Sequence, residues 1–346
     1  MTNAALDELI ARTRKKYGAD ALFLASEQVP PPRLASGSLS LDVIMGGGWP
    51  TNEWTEIAGH PSSGKTAIVH KTIAVNQALD PDFTVMWVSS EGYNEEWART
   101  LGVDTDRVHQ FPAHEMAEAY DFMVDATASK SINLLVLDSL PALMPDEEGE
   151  KSVGEATVSV GARMTNKFFR KAKIKRHHDG TERPMLGIVI NQWRAKVGGF
   201  APHGVTPRDR PGGGGKDYAY VIRLEASRAE DIVEDLPGRG KVKIGQTIKV
   251  LAAKNKTAAP GRVASVDLYY TDTENGMFHA GDYDAVKELV MLGILTEAIT
   301  RAGSYYDVGG VRVKAREGLL AHLRGDLTAQ EELTADIRRR ALGRAP

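Results

Sequence analysis

The run Gly59-His60-Pro61-Ser62-Ser63-Gly64-Lys65-Thr66 sets glycines at its first and sixth positions and closes on a lysine and a hydroxyl. That spacing suits phosphate chemistry. Bare backbone N–H groups and a helix N-terminus can surround a β-phosphate with partial positive charge, a lysine can reach the β and γ oxygens, and a threonine hydroxyl can ligate Mg2+. A strand-like segment at 56–58 precedes the run and a helical pattern follows it, so the nucleotide contacts are expected to extend to Ala67. A chance glycine-rich turn is the bland reading, and an eight-position match in this setting leaves it little room.

Two carboxylates follow at strand ends. Asp138 closes the apolar run 134–137, where desolvation is costly unless a cation or a hydrogen bond meets the charge. Alone, it reads equally as a capping residue; beside a phosphate loop it is the expected magnesium carboxylate. Glu91 follows the run 84–88 and could orient or deprotonate an attacking water. On position alone, a surface glutamate in the acidic loop 91–96 is an equal reading.

These residues need a sheet to hold them. The runs 84–88, 134–137 and 185–190 are near-continuously apolar, as strands covered on both faces are. Helical patterns at 65–79, 115–128 and 155–176 lie between them, which predicts an α/β fold with a mostly parallel central sheet. Strands at 218–226, 246–253 and 264–270 leave no room for helices and predict an antiparallel end to that sheet. A helical pattern ending before Gly18 and a proline-rich linker precede this core. That helix either covers its own domain or docks on a neighbouring copy.

Composition closes off other classes. The chain has 346 residues and no cysteine, so it has no disulfide, thiolate zinc site, iron–sulfur cluster or cysteine nucleophile. Its apolar runs fall far short of the ~18 residues that span a bilayer, and its start lacks a secretory pattern, so a soluble cytoplasmic chain without a membrane partner is expected. The net charge of −3 points to no polyanion, but it is unevenly spread. Residues 163–216 hold 13 basic and 3 acidic side chains, whereas 115–155 hold 10 acidic and 2 basic.

The segment 36–42 (Ser-Gly-Ser-Leu-Ser-Leu-Asp), the phosphate loop, Glu91 with 97–104, Asp138-Ser139, Ile190-Asn191-Gln192 and Lys254-Asn255-Lys256 occur in the order and near the spacing of the RecA recombinase family, which the chain closely resembles over about 36–323. The resemblance implies a RecA-like ATPase core over 34–274, after an N-terminal helix and linker (1–33) assigned to packing between subunits. A small α/β C-terminal domain (275–328) and a basic helical tail (329–346) follow. It implies that Glu91 activates water, Trp97 stacks on adenine, Gln192 senses the γ-phosphate, and Lys254 and Lys256 reach the nucleotide of an adjacent subunit. Without it, a solvated strand-end pair is the better reading of those lysines.

The resemblance also implies two DNA-binding loops, 147–160 and 193–216. Arg163, Arg170, Arg194, Lys196, Arg208 and Arg210 would meet phosphates, Val197 would wedge between base triplets, and Gly212 and Gly213 would let backbone approach the strand. The implied partners are single- and double-stranded DNA and further copies of the chain in a helical filament, with ATP and Mg2+ as cofactors. Several features depart from the family pattern. The segment 92–96 is one residue shorter than the family's, the second loop is about two residues longer, Asp217 replaces an interface aromatic, and 171–185 reads as an insertion with a basic run. The family's acidic tail gives way to Arg338-Arg339-Arg340, implying weaker restraint on DNA access. These departures imply a divergent member, bacterial or phage-encoded. The alternatives are a regulatory ATPase of the same fold and a hexameric helicase-like motor, without strand exchange.

Overall fold

The computed structural model describes residues 4–27, 30, 32–129, 131–143, 160–172, 184–195 and 208–343. The first helix, α1 (Ala4–Tyr17), buries none of its residues and stops where Gly18 turns to φ 105°. A short antiparallel pair, β1 (Arg33–Leu34) and β2 (Trp49–Pro50), brackets α2 (Leu39–Met45). Strands and helices then alternate through β3 (Glu53–Gly59), α3 (Lys65–Leu79), β4 (Val85–Ser89), α4 (Glu95–Thr100), β5 (Val108–Pro112) and α5 (Met116–Ser129). The alternation continues with β6 (Leu134–Asp138), α6 (Val160–Lys171) and β7 (Leu186–Gln192).

A small pair, β8 (Arg194–Ala195) with β9 (Arg208–Asp209), and the short helix α7 (Lys216–Ala219) lead into the long hairpin β10 (Tyr220–Leu236) and β11 (Gly240–Asn255), followed by β12 (Val263–Tyr269). The eight-stranded sheet runs β12-β11-β10-β3-β7-β6-β4-β5, parallel from β10 to β5 and antiparallel from β10 to β12. The expected α/β class and mixed sheet are therefore present. Strand β5 is not among the sequence expectations because an edge strand with mostly exposed residues has no continuous apolar run. The hairpin extends well past the expected 226 and 246 because its outer half is largely solvent-facing.

Two cores sandwich the sheet. Helix α3 lays Ile68, Val69 and Ile73 on one face, with Ile57, Val85 and Ile188. Helices α5 and α6 lay Met123 and Phe168 on the other, where Trp54 meets Phe168 edge-on at 5.4 Å and donates from Nε1 to the Ala172 carbonyl at 2.8 Å. This fixes α6, and with it the basic face that α6 turns outward.

The C-terminal part comprises α8 (Ala285–Leu295), β13 (Thr300–Ala302), β14 (Tyr305–Val308), β15 (Val311–Lys314), α9 (Ala315–Gly325) and α10 (Leu327–Leu342). The structure has no break at 328. Helix α10 buries Leu333 and Ile337 in the core made by α8 and α9, so its described part belongs to this domain rather than forming a separate tail. The first loop up to 159, residues 196–207 with Lys196 and Val197, and the basic run 173–178 lie outside the described residues.

Glu288 of α8 joins this domain to the core by accepting from Ser38 Oγ at 2.8 Å and from the Ser40 N–H at 3.0 Å. Burial pushes its carboxyl up to about 7, against the lowering effect of the two serine bonds. Because the unfolded chain releases this proton near 4.5, the stabilisation is complete below that value and is lost as pH rises through about 7. Glu288→Gln should flatten that slope and raise stability at pH ~8 by on the order of 1–3 kcal/mol. Denaturant unfolding at pH ~5 and ~8 checks this, and parallel pH profiles for variant and native chain would contradict it.

Candidate functional site

The phosphate loop leaves the sheet at the C-terminal end of β3 and enters α3. Ser62 at φ 58° and Gly64 at φ 85° make the turn. A Cβ on Gly64 would lie 2.3 Å from Ile248 Cδ1, and one on Gly59 would lie 2.4 Å from the Ala226 carbonyl, so only glycine fits either position. The turn aims the free N–H groups at the start of α3 into a cleft of ≈ 210 Å³ lined by Ser62 to Ala67 and by Trp97, Gln246, Leu268 and Tyr270. Lys65 Nζ donates to the His60 carbonyl at 2.7 Å, folding the lysine over the loop. Burial lowers its pKa, and Asp138 and Glu91 pull it back up.

Neighbouring strand ends deliver the acidic groups. Register pairs Ser89 with Asp138 and Gly59 with Gln192. Ser90 Oγ donates to the Ser139 carbonyl at 2.8 Å and accepts from the Ser139 N–H at 2.9 Å, pinning the ends of β4 and β6 together. Glu91 Oε1 in turn accepts from Ser139 Oγ and, at 3.0 Å, from Gln192 Nε2. Thr66 Oγ1 donates to Asp138 Oδ2 at 3.2 Å. Burial first, and the Glu91 charge second, push the Asp138 carboxyl up to about 6, while Thr66 and Lys65 oppose the shift.

A magnesium nucleotide fits this donor set. Thr66 and Asp138 present a hydroxyl and a carboxylate oxygen side by side, the hard donors that Mg2+ takes alongside phosphate oxygens, and the glycine cradle leaves room for the phosphates. The base would lie against Trp97, whose ring meets Tyr270 edge-on at 6.1 Å. The Asn94 side chain caps α4 by accepting from the Trp97 N–H at 3.0 Å, which sets the indole at the cleft wall. Sequence reasoning missed Tyr270 and the Ser90–Ser139 clasp. Tyr270 closes a strand-like run, and a serine after an aspartate carries no signal of its own.

The lysine pair lies elsewhere. Lys254 is level with Arg223 and Glu56, whereas the phosphate loop departs three positions further along β3, after Gly59. Three strand positions are roughly 10 Å. Lys254 Nζ donates to the Asp217 carbonyl, and Lys256 Nζ donates to that of Tyr218 at 3.3 Å.

The nucleic-acid residues divide. Arg163 and Arg170 are exposed on α6 and line a groove of ≈ 710 Å³ with Asn166, Lys167, Gly215 and Tyr218. Gly213 abuts α6, where an added Cβ would come 2.8 Å from Ala162 Cβ, while Gly212 backs onto Leu140 and Lys216. Arg194 is exposed and donates to the Pro141 carbonyl at 3.2 Å. Arg208 contributes backbone to β9. Arg210 turns inward instead, paired with the buried Glu56 and with Asp217 at 2.8 Å, because an unpaired Glu56 would be costly at that depth. Lys216 is also buried, donating to the Gly213 carbonyl at 2.9 Å.

The RecA N-terminal domain family model matches residues 4–275. The chain belongs to the RecA family. It is 29% identical over 340 residues to proteins named Protein RecA from Listeria welshimeri, Listeria ivanovii and Listeria monocytogenes, covering 97% of this chain and 91% of each relative. The phosphate loop, Asp138, Gln192 and the lysine pair all lie within the matched segment.

Glu91→Gln should keep magnesium nucleotide binding and slow turnover by about 100-fold or more, since an amide still accepts from Ser139 but cannot take a proton from water. Steady-state turnover with equilibrium binding checks this, and normal turnover in the variant would contradict it. Trp97→Ala should weaken ATP binding by about tenfold with little effect on a saturated rate, the loss expected for one stacked base. Unchanged affinity would remove the indole from the base site.

Proposed function

We propose that the chain is an ATP-dependent homologous recombinase that assembles as a helical filament on single-stranded DNA and promotes homology search and strand exchange. The observation that carries this reading is the hydrogen bond from Gln192 to Glu91. One residue beyond Gln192 begins the proposed second DNA-binding loop, so the group beside the hydrolytic carboxylate is also the root of that loop. In this reading Glu91 orients and deprotonates the attacking water, Lys65 offsets charge on the β and γ oxygens, and Thr66 and Asp138 hold Mg2+. When bound, the metal neutralises charge on the transferring phosphoryl group.

Lys254 and Lys256 lie away from their own phosphate loop, which supports their serving the nucleotide of a neighbouring protomer. Positive charge delivered across that boundary would join turnover to assembly. The exposed basic face of α6 and the glycine backbone beside it suit contact with phosphates regardless of sequence. Double-stranded DNA is the second substrate in this reading, and the cytoplasm is the compartment. Among the described residues no helix is long and apolar enough to cross a membrane.

Single-stranded DNA should raise ATP turnover by about tenfold or more, with an affinity that falls steeply as salt rises. Replacing both Lys254 and Lys256 by alanine should abolish that stimulation and filament assembly together, while ATP binding by the unassembled chain stays within about twofold of the native value. ATP turnover indifferent to single strands would overturn the recombinase reading, and a double variant with native turnover would overturn the shared site.

A further inference from the structure

A continuous chain of polar contacts runs from the nucleotide site to the lysine pair. It begins at Glu91, which accepts from Gln192 Nε2 at 3.0 Å. The Gln192 backbone N–H donates to Asn191 Oδ1 at 2.9 Å, and Asn191 Nδ2 donates to the buried Glu56 Oε1 at 2.8 Å. Arg210 then bridges two carboxylates, with Nη1 on Glu56 Oε2 and Nη2 on Asp217 Oδ1 at 2.8 Å. The carbonyl of the same Asp217 accepts from Lys254 Nζ.

We propose that Arg210 and Asp217 couple the Glu91–Gln192 pair of one nucleotide site to the lysine that serves the next, making them positioning residues for cooperative turnover. This rests on the reading of Lys254 and Lys256 as acting between protomers. Three features favour coupling over a passive ion pair. Glu56 is buried within the sheet, so losing Arg210 would strand its charge and losing Asn191 would take the donor from its other oxygen. Asn191 and Gln192 are consecutive and mutually bonded, so displacement of the Gln192 backbone disturbs the contact on Glu56. Asp217 lies in α7, a single turn that closes the second loop, and both lysines hold carbonyls of that turn. Burial works against the Arg210 charge, but Glu56 and Asp217 outweigh it and raise its pKa, while burial raises the Glu56 carboxyl against the opposing pull of Arg210 and Asn191. Trp193, directly after Gln192, lies 5.6 Å from the Arg210 guanidinium and ties the start of the second loop to the same link.

The test is a double-mutant cycle of Arg210→Gln and Asp217→Asn in the full chain. It reads ATP turnover against ATP concentration, with and without saturating poly(dT), together with binding of a fluorescent ATP analogue to the unassembled chain. Asp217→Asn should cut strand stimulation and the cooperativity of turnover by at least about fivefold, a typical coupling factor, while analogue affinity stays within about twofold of native. Arg210→Gln should give a similar loss, and the double variant should lose no more than either single one. Asp217→Glu should restore most of the coupling, and it carries the test should Asp217→Asn fold poorly. Native stimulation in both single variants, or losses that multiply in the double variant, would overturn the proposal. A native chain that poly(dT) does not stimulate would instead overturn the recombinase reading, and the link would then stand or fall on ATP cooperativity alone.

Discussion

Glu91 and Asp138 carry like charges at neighbouring strand ends, and everything at the nucleotide site depends on holding them there. Their repulsion, added to burial, shows in the raised pKa of Asp138. Parallel strands β4 and β6 put the two carboxylates close together, the reciprocal Ser90–Ser139 bonds stop the ends from splaying, and Ser139, Gln192 and Thr66 each donate to one of them. Lys65 is the nearby positive charge, and its own burial lowers its pKa. A site arranged in this way is prepared for a cation and a polyanion together, since each relieves a penalty that the other would add to.

Much of this arrangement was legible in the sequence, for physical reasons. Strands covered on both faces must be apolar along their length, so the runs around Val85, Leu134 and Leu186 stood out, and a phosphate cradle demands glycine at fixed positions. Edge strand β5 and the outer hairpin left no such trace, because residues facing solvent obey no apolar pattern. Arg210 was the more instructive difference. In a glycine-rich basic loop it reads as a phosphate contact, yet its partner Glu56 stands 154 residues earlier, and nothing local distinguishes a guanidinium bound for DNA from one bound for a buried carboxylate. Lys216, equally basic in sequence, is spent on backbone carbonyls.

The charge distribution gains meaning from the fold. Part of the excess positive charge in 163–216 lies on the outer face of α6, beside the glycines that end the second loop, while Arg210 and Lys216 stabilise the scaffold beneath. The basic segment therefore divides in two, an outward-facing basic surface on α6 and internal pairing that holds 210–216 to the sheet. A net charge of −3 hides both.

In the proposed filament, nucleotide bound at one protomer's phosphate loop is completed by Lys254 and Lys256 of another. Electron microscopy of the chain with single-stranded DNA and a slowly hydrolysed ATP analogue tests this most directly. Helical filaments are expected with nucleotide at each protomer boundary, the lysine pair of one subunit facing the phosphates held by Lys65 and Thr66 of the next, and the strand running along α6. Closed rings, or unassembled protomers with the lysine pair remote from every nucleotide, would contradict it.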